Sequence, residues 1–578
     1  MKRTLLTTTL ALALAALTAG GAGAAGAKAG CDFDGNGKDD LAVGAPGETV
    51  NGKAGAGMVH VQFSNASLFE GFGGSNGLLA TGIEYTQATG GLGAVESGDE
   101  FGAALACGDF NDDGFDDLAI GAPGEDIGSG GAEKADAGAV FVLYGNAYTG
   151  LVGTYTKVFH QNTDGVGGVA EPADRFGETL ASGDFDGDGN DDLAIGAPGE
   201  VVAGTEARGA VHVLYGFWDT GLNASGDQLF HGAQQGMGFL EGAAWYGEAL
   251  GVGNFDGDLY DDLAIGAPAA EIGNDAGAGG VHVLPGSPLE RLTMQGSRWL
   301  HQDYEGIEGT AESYDFFGRS LAAGDFDADG RDDLAIGVPF EGWTQGGTKL
   351  GDPGVAVVVY GSASGPDADS SQTWHQGKPG VLGEPEWKLP GGILEACSGH
   401  GDWLGYSLAA ADFDGDGADD LAIGAPAEKV GSADTKAGAV NVLYGSDGPG
   451  LTAADDQLLY QGHGGSLADA EPHDYFGRSL AAGDFNGDGK DELAVGSPSD
   501  SVGGMANAGQ VEVFLGWNGP GLVGGSFHGL VAGLELLHQG DAGYDVGDTA
   551  QATGYVVEPP WCGLSTAGEQ FGFALAGS

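Results

Sequence analysis

The sequence predicts an all-β fold, a seven-bladed β-propeller of four-stranded blades whose first blade is completed by the C-terminal strand. Three observations predict it. A nine-residue acidic loop recurs seven times, its first residues 77, 75, 70, 71, 87 and 72 apart, which marks a repeat array. Each copy lies among four short apolar or alternating stretches separated by turn residues, with no sustained helical period. The first copy lacks the strand that opens the other units, and the chain finishes on such a strand, Phe571–Ser578.

Taken from the N-terminus, Lys2 and Arg3 precede an apolar run from Leu10 to Leu17 and small residues to Ala27. Ala25-Gly26-Ala27 fits a small-x-small cleavage site, so residues 1–27 read as a signal peptide and the protein as secreted. The run is too short and glycine-rich for a membrane anchor, which needs about 20 apolar residues. Residues 28–578 are then a single propeller with acidic loops at 32–40, 109–117, 184–192, 254–262, 325–333, 412–420 and 484–492. In the third unit, FGETLASG from Phe176 leads into the loop and LAIGAP from Leu193 leads out. The alternating AVHVLYG from Ala210 follows, and a last strand ends each unit in motifs such as LHQ at Leu300. Four-stranded sheets repeated about an axis are propeller blades. An open solenoid would want polar caps, whereas a first unit borrowing its missing strand from the C-terminus leaves no free sheet edge.

The loops carry the chemistry. Their first places hold Asp32, Asp109, Asp184, Asn254, Asp325, Asp412 and Asp484, and their third places Asp34, Asn111, Asp186, Asp256, Asp327, Asp414 and Asn486. The fifth places are Asn36, Asp113, Asp188, Asp258, Asp329, Asp416 and Asp488; the ninth are Asp40, Asp117, Asp192, Asp262, Asp333, Asp420 and Glu492. Oxygen donors on alternate residues of a tight loop suit calcium, which takes six to eight at about 2.3–2.6 Å; magnesium demands a smaller octahedral shell and keeps its waters. The seventh places, Lys38, Phe115, Asn190, Tyr260, Arg331, Ala418 and Lys490, share no chemistry and are expected to offer a backbone carbonyl. A helix-loop-helix calcium site would carry a carboxylate at the twelfth place, where this chain has Val43, Ile120, Ile195, Ile265, Ile336, Ile423 and Val495. Up to seven calcium ions are expected, the weakest in the fourth loop, where Asn254 replaces an acid and Leu259 a glycine. Glu492 puts the geometry of the seventh in question.

Composition narrows the partners. With Lys+Arg 20 against Asp+Glu 84 the net charge is -64, which excludes nucleic acid and anionic membrane surfaces as natural partners. Hydrophobic content of 42% argues against disorder despite 117 glycines. Of the 12 histidines, His160, His231, His301, His375 and His538 share one strand-end place, and His60, His212 and His282 share another. No nucleophile–base set stands apart from the repetition, so no catalytic residue is assigned.

Four cysteines in an exported chain allow three pairings. Cys31 and Cys107 both end inner strands of neighbouring blades, and Cys397 and Cys562 both lie in loops entering a blade from the opposite face, which favours Cys31–Cys107 and Cys397–Cys562. Those two entry loops also hold Trp387, Trp403 and Trp561, a candidate ligand face, although the tryptophans could equally plug local gaps.

These motifs resemble the FG-GAP repeats of integrin α-subunits. Phe-Gly recurs at Phe101, Phe176, Phe317, Phe476 and Phe571, with variants at Tyr246 and Leu404; Gly-Ala-Pro recurs at Gly44, Gly121, Gly196, Gly266 and Gly424, with variants at Gly337 and Gly496. The resemblance implies calcium loops on one face of the propeller and ligand-binding loops on the other, and a secreted monomeric adhesion module for an extracellular protein or glycan. An extracellular carbohydrate-active lyase or glycosidase, or a structural matrix protein, are the alternatives on the same scaffold.

Overall fold

A computed structural model of the chain describes most of residues 31–538; within that span 65–81, 90–92, 129–132, 148–149, 203–208, 233–243, 289, 343, 346–347, 350–352, 384, 386–400, 431–435, 463–468, 501–508 and 517–530 lie outside the description. The expected signal peptide, Phe571–Ser578, Trp387, Trp561 and the expected Cys397–Cys562 pair therefore fall outside the described residues.

The fold is a seven-bladed β-propeller. Blade 3 shows the pattern, with antiparallel strands Thr179–Gly183, Asp192–Ala197, Ala210–Tyr215 and Asn223–His231 hydrogen-bonded in chain order. Blades 2 and 4 to 7 repeat it, with inner strands Leu105–Gly108, Ala249–Gly253, Ser320–Gly324, Ser407–Ala411 and Ser479–Gly483. Blade 1 shows three strands, Leu41–Ala45, Met58–Gln62 and Ile83–Tyr85, and the strand expected to complete it is the C-terminal one. The second strand is buried on both faces in every blade, as DLAIGA in blade 3, which is why it reads as continuous apolar sequence instead of alternating.

The core lies between blades. Phe110 of blade 2 packs with Leu193, Ile195 and Leu214 of blade 3, and Ala481, Phe485 and Val513 of blade 7 pack with Cys31, Phe33 and Val43 of blade 1. Cys31 and Cys107 form the expected disulfide across blades 1 and 2.

The two signature glycine motifs are one contact. The Phe-Gly glycine donates its N–H to the Gly-Ala-Pro glycine of its own blade, as Gly177 to Gly196 at 2.9 Å. A Cβ on Gly196 would lie 2.2 Å from the carbonyl oxygen of Gly247 in the next blade, and Gly121, Gly266, Gly337 and Gly424 meet their neighbours in the same way. Gly196→Ala is expected to cost about 2–3 kcal/mol by forcing two blade backbones apart, measured by denaturant unfolding.

Ring closure is visible without the C-terminal strand. The eighth loop residue is aspartate in every copy: Asp39, Asp116, Asp191, Asp261, Asp332, Asp419 and Asp491. Each accepts, on Oδ2, the N–H of the first loop residue of the preceding blade at 2.7–3.2 Å. Each also returns its own N–H to that residue's carbonyl at 3.0–3.2 Å. The series runs through all seven junctions, and its last members join Asp484 of blade 7 to Asp39 of blade 1. In five blades the inner strand ends on a glycine that makes room: a Cβ on Gly183 would lie 2.8 Å from a carboxylate oxygen of Asp261.

Candidate metal centres

In blades 2 to 7 the acidic loop joins the inner strand to the second strand, and the first loop leads into the second strand of blade 1, so all of them lie on one face. The turn is shaped by its own carboxylates. Oδ1 of the first residue accepts the N–H of the fifth at 2.9–3.1 Å in all seven copies, including Asn254 from Asp258. Its second oxygen accepts the N–H of the sixth residue, a glycine with φ between 82° and 94°, in every loop except the fourth. Asn254 has no second carboxylate oxygen, so the Leu259 N–H turns to Asp258 instead, at 2.6 Å, and the leucine side chain stands 80% exposed. The two departures in this loop thus alter the same turn.

The ninth residue ties three strands together. Asp192 accepts the N–H of Phe185 on Oδ2 at 3.1 Å and that of Gly216, beyond the third strand, on Oδ1 at 2.9 Å. The other ninth-place aspartates repeat both contacts. Glu492, one methylene longer, reaches past Phe485 to the N–H of Asn486 at 3.1 Å and also accepts from its amide.

Carboxylates of the first, third and ninth places converge in four loops: Asp32, Asp34 and Asp40; Asp184, Asp186 and Asp192; Asp325, Asp327 and Asp333; Asp412, Asp414 and Asp420. Their ligand atoms lie within 4.8 Å of one another in each case. The second and seventh loops have Asn111 and Asn486 at the third place, and the fourth has Asn254 at the first, so an amide there replaces one of the three carboxylates. The fifth-place side chains stay at the rim, where Asp113, Asp188, Asp258, Asp329, Asp416 and Asp488 each accept the N–H of the seventh residue. Hard oxygens in a compact, partly buried pocket fit a calcium-sized cation.

Arg291 lies 3.3 Å from Asp186 of the third loop and Arg331 2.7 Å from Asp329 of the fifth, but the ninth-place carboxylates are governed by burial and mutual repulsion. Burial first, then the carboxylates of its own loop, push Asp40 and Asp262 up to about 8 and Asp333 up to about 9. Asp192 and Asp420 are raised well above the ordinary range by the same causes. A carboxyl whose folded pKa is raised holds its proton more tightly in the native state. The stability it contributes is therefore full below about 3.8 and lost as pH rises through about 8. Metal-free protein is accordingly expected to melt higher at pH 5 than at pH 8, and calcium-loaded protein to show the reverse order, since protons compete with the ion.

The seventh place has a use that its mixed chemistry concealed. Its side chain covers the fourth residue of the preceding loop: Phe115 lies over Gly35, Tyr260 over Gly187, Arg331 over Gly257, Lys490 over Gly415 and Lys38 over Gly487. Where the fourth residue is Asp112 or Ala328, the following loop offers the shorter Asn190 or Ala418. All seven fourth residues hold φ between 52° and 75°. Both couplings join different loops, the aspartate bonds 77–94 positions apart within the chain and 445 apart at the closing junction, and were missed by reading each loop separately; the invariance of the eighth aspartate was the available signal.

Two of the repeated histidines, His212 and His282, are buried packing groups. Burial draws His282 down to about 4 beside the Tyr246 hydroxyl at 3.0 Å, and the fully buried His212 faces Asp227 at 3.4 Å. Trp403 is only 7% exposed, held among Phe340, Tyr406 and Lys436.

The ring and its loops define an all-β propeller with acidic cation-type loops on one face. Its blades are FG-GAP repeats: that family matches residues 29–61, 101–143, 176–214, 246–284, 317–359, 404–443 and 476–514, so the chain is an FG-GAP repeat protein. Among curated proteins it is 32% identical to rat phosphatidylinositol-glycan-specific phospholipase D over 243 residues, covering 42% of this chain and 25% of that protein. It is also 32% identical to Drosophila melanogaster integrin alpha-PS2 over 246 residues, covering 42% of this chain and 15% of that one. The matches thus take in a quarter or less of these relatives' lengths. A solved exotype rhamnogalacturonan lyase aligns at 13% identity and a TM-score of 0.36, covering 80% of this chain and 68% of that one, a likeness too low to bear on function. Among the described residues no helix is long and apolar enough to cross a membrane.

Proposed function

We propose that the protein is a secreted, calcium-stabilised recognition module that engages an extracellular protein or glycan through the face remote from its acidic loops. The observation that carries this reading is an arc of aromatic side chains at the Phe-Gly turns, in which buried Phe316, Trp403 and Tyr406 support a partly exposed Trp245 and an exposed Tyr314. The residue before each described turn, Glu100, Arg175, Trp245, Phe316, Trp403 and Tyr475, holds φ between 53° and 62°. Left-handed backbone at bulky residues is costly and collects at ligand sites. Trp245 stacks on Phe316 with centroids 6.0 Å apart, and the series continues through Phe340 at 5.6 Å to Trp403 at 5.8 Å and Tyr406 at 6.1 Å. Arg319 and Arg478 lie over the Tyr406 ring, and Tyr314 flanks the arc 36% exposed. Aromatic and arginine side chains on a rigid scaffold are the residue types that dominate recognition. The similarity to integrin α-subunits supports an extracellular setting.

The test is a binding screen against matrix proteins and polysaccharides, in calcium and in chelator. Saturable, calcium-dependent binding that falls at least about tenfold in Trp245→Ala and Tyr314→Ala, with unchanged melts, is the expected result. No binding to any of them, or binding indifferent to both variants, contradicts the reading.

A further inference from the structure

On the face opposite the acidic loops, every described blade junction but one buries a glutamine against two acids. The glutamine follows the last strand of one blade. One acid stands two residues before the Phe-Gly turn of the next blade, and the other just beyond its Gly-Ala-Pro turn. The sets are Gln87, Asp99 and Glu125; Gln161, Asp174 and Glu200; Gln302, Asp315 and Glu341; Gln376, Asp402 and Glu428; and Gln461, Asp474 and Asp500. In each, glutamine Nε2 donates to the second acid at 2.6–2.9 Å. We propose that these clusters are a second tier of divalent-cation sites, one at each such blade junction, separate from the acidic loops.

Three observations carry the proposal. First, all five glutamines are at most 5% exposed, and in all five Oε1 has no hydrogen-bond partner. A buried amide oxygen left unmatched costs about 1–3 kcal/mol, and here the same atom is left unmatched five times. Turning the amide by 180° exchanges nitrogen for oxygen at almost no steric cost. Oε1 then stands beside the acid that Nε2 now faces, an arrangement that needs either a proton or a cation between them.

Second, the first acid of each set lies among other carboxylates. The groups acting on the Asp174 carboxyl are Glu200 and Glu171; on Asp315 they are Glu341 and Glu312, and on Asp474 Asp500 and Glu471. The first acid is locked in place by the N–H of the residue three earlier, as Glu171 to Asp174 at 2.5 Å and Glu312 to Asp315 at 2.6 Å. A shared proton neutralises one of two buried carboxylates, whereas a divalent cation neutralises both. Carboxylates with an amide carbonyl are a calcium-type donor set.

Third, the three positions are lost together. At the junction of blades 3 and 4 they are Gly232, Ala244 and Ala270. Ala244 and Ala270 are fully buried, and the cluster is replaced as a unit by apolar packing. At the junction of blades 7 and 1 the sequence again supplies Gln539, Glu569 and Glu48, the first two outside the described residues.

The test counts calcium on the full chain by native mass spectrometry and follows its melt. Asp174→Asn with Glu200→Gln is expected to lose one ion, to melt lower than the parent in calcium and to melt higher than the parent in EDTA, where its buried repulsion is gone. Asp186→Asn with Asp192→Asn, in the acidic loop of the same blade, is the control and loses a different ion, so failure of one tier is distinguishable from failure of the other. Gln161→Met, which keeps both acids, is expected to weaken one site at least about tenfold, and it serves if the double variant does not fold. An unchanged ion count in Asp174→Asn with Glu200→Gln, together with a higher melt in both calcium and EDTA, overturns the proposal and assigns the pair a shared proton. An unchanged count and unchanged affinity in Gln161→Met overturns it as well.

Discussion

Removing divalent cations with EDTA at pH 8 is expected to lower the melting temperature by roughly 10 °C. A ligand that binds only the native state stabilises it by about 2.7 kcal/mol per site at a hundredfold excess over Kd. Over the four loops that bring three carboxylates together, this comes to roughly 11 kcal/mol. Unfolding entropy of about 2.1 cal/mol/K per residue makes 1 kcal/mol worth roughly 1 °C in a chain this long. Calcium removal also leaves Asp40, Asp262 and Asp333 as buried carboxylates without a counter-charge, each raised to about 8 or 9. Differential scanning calorimetry in calcium and in EDTA checks this, and magnesium is expected to restore less of the loss than calcium.

The second large effect is expected at the ninth loop position. Asp192→Ala removes the acceptor for the buried N–H groups of Phe185 and Gly216. Each such orphan costs about 1–3 kcal/mol, so the variant is expected to lose about 2–6 kcal/mol even in chelator. Asp188→Ala, at the exposed fifth place, removes only the acceptor for the N–H of Asn190 and one contact to its amide. It is expected to cost less than about 1 kcal/mol in chelator, because those N–H groups can turn to water. Urea unfolding of both variants, with and without calcium, separates the strand-clamping carboxylate from the rim carboxylate. Equal costs in chelator would show that the ninth place does not clamp the strands.

Much of this architecture is legible in the linear sequence because it is built by repetition. Seven nine-residue loops give the blade count, and the apolar twelfth place separates a strand-flanked loop from a helix-flanked one. The Asn254 and Leu259 departures mark the irregular fourth loop, and the structure adds that both alter the same turn. Apart from the Cys31–Cys107 bridge, what stays hidden is what one blade does to the next. Asp261 matters because it receives the N–H of Asp184 across a junction, and Tyr260 because it lies over Gly187. Neither relation has a signature inside its own nine residues. The Phe-Gly and Gly-Ala-Pro motifs are likewise visible as words, but their purpose, Gly196 against the backbone of Gly247, belongs to a junction. Trp403, picked out as part of a ligand face, is packed among Phe340, Tyr406 and Lys436. The left-handed residues that give the aromatic arc its form announce themselves only in φ.

The central claim, that the acidic loops are calcium sites holding a closed ring, is tested most directly by equilibrium dialysis of chelator-stripped, folded protein against radioactive calcium. The account predicts saturable binding of at least four ions, one for each loop in which three carboxylates converge, with stoichiometry falling by one in Asp186→Asn with Asp192→Asn. A folded chain that binds no calcium, or whose count is unmoved by that variant, would contradict it.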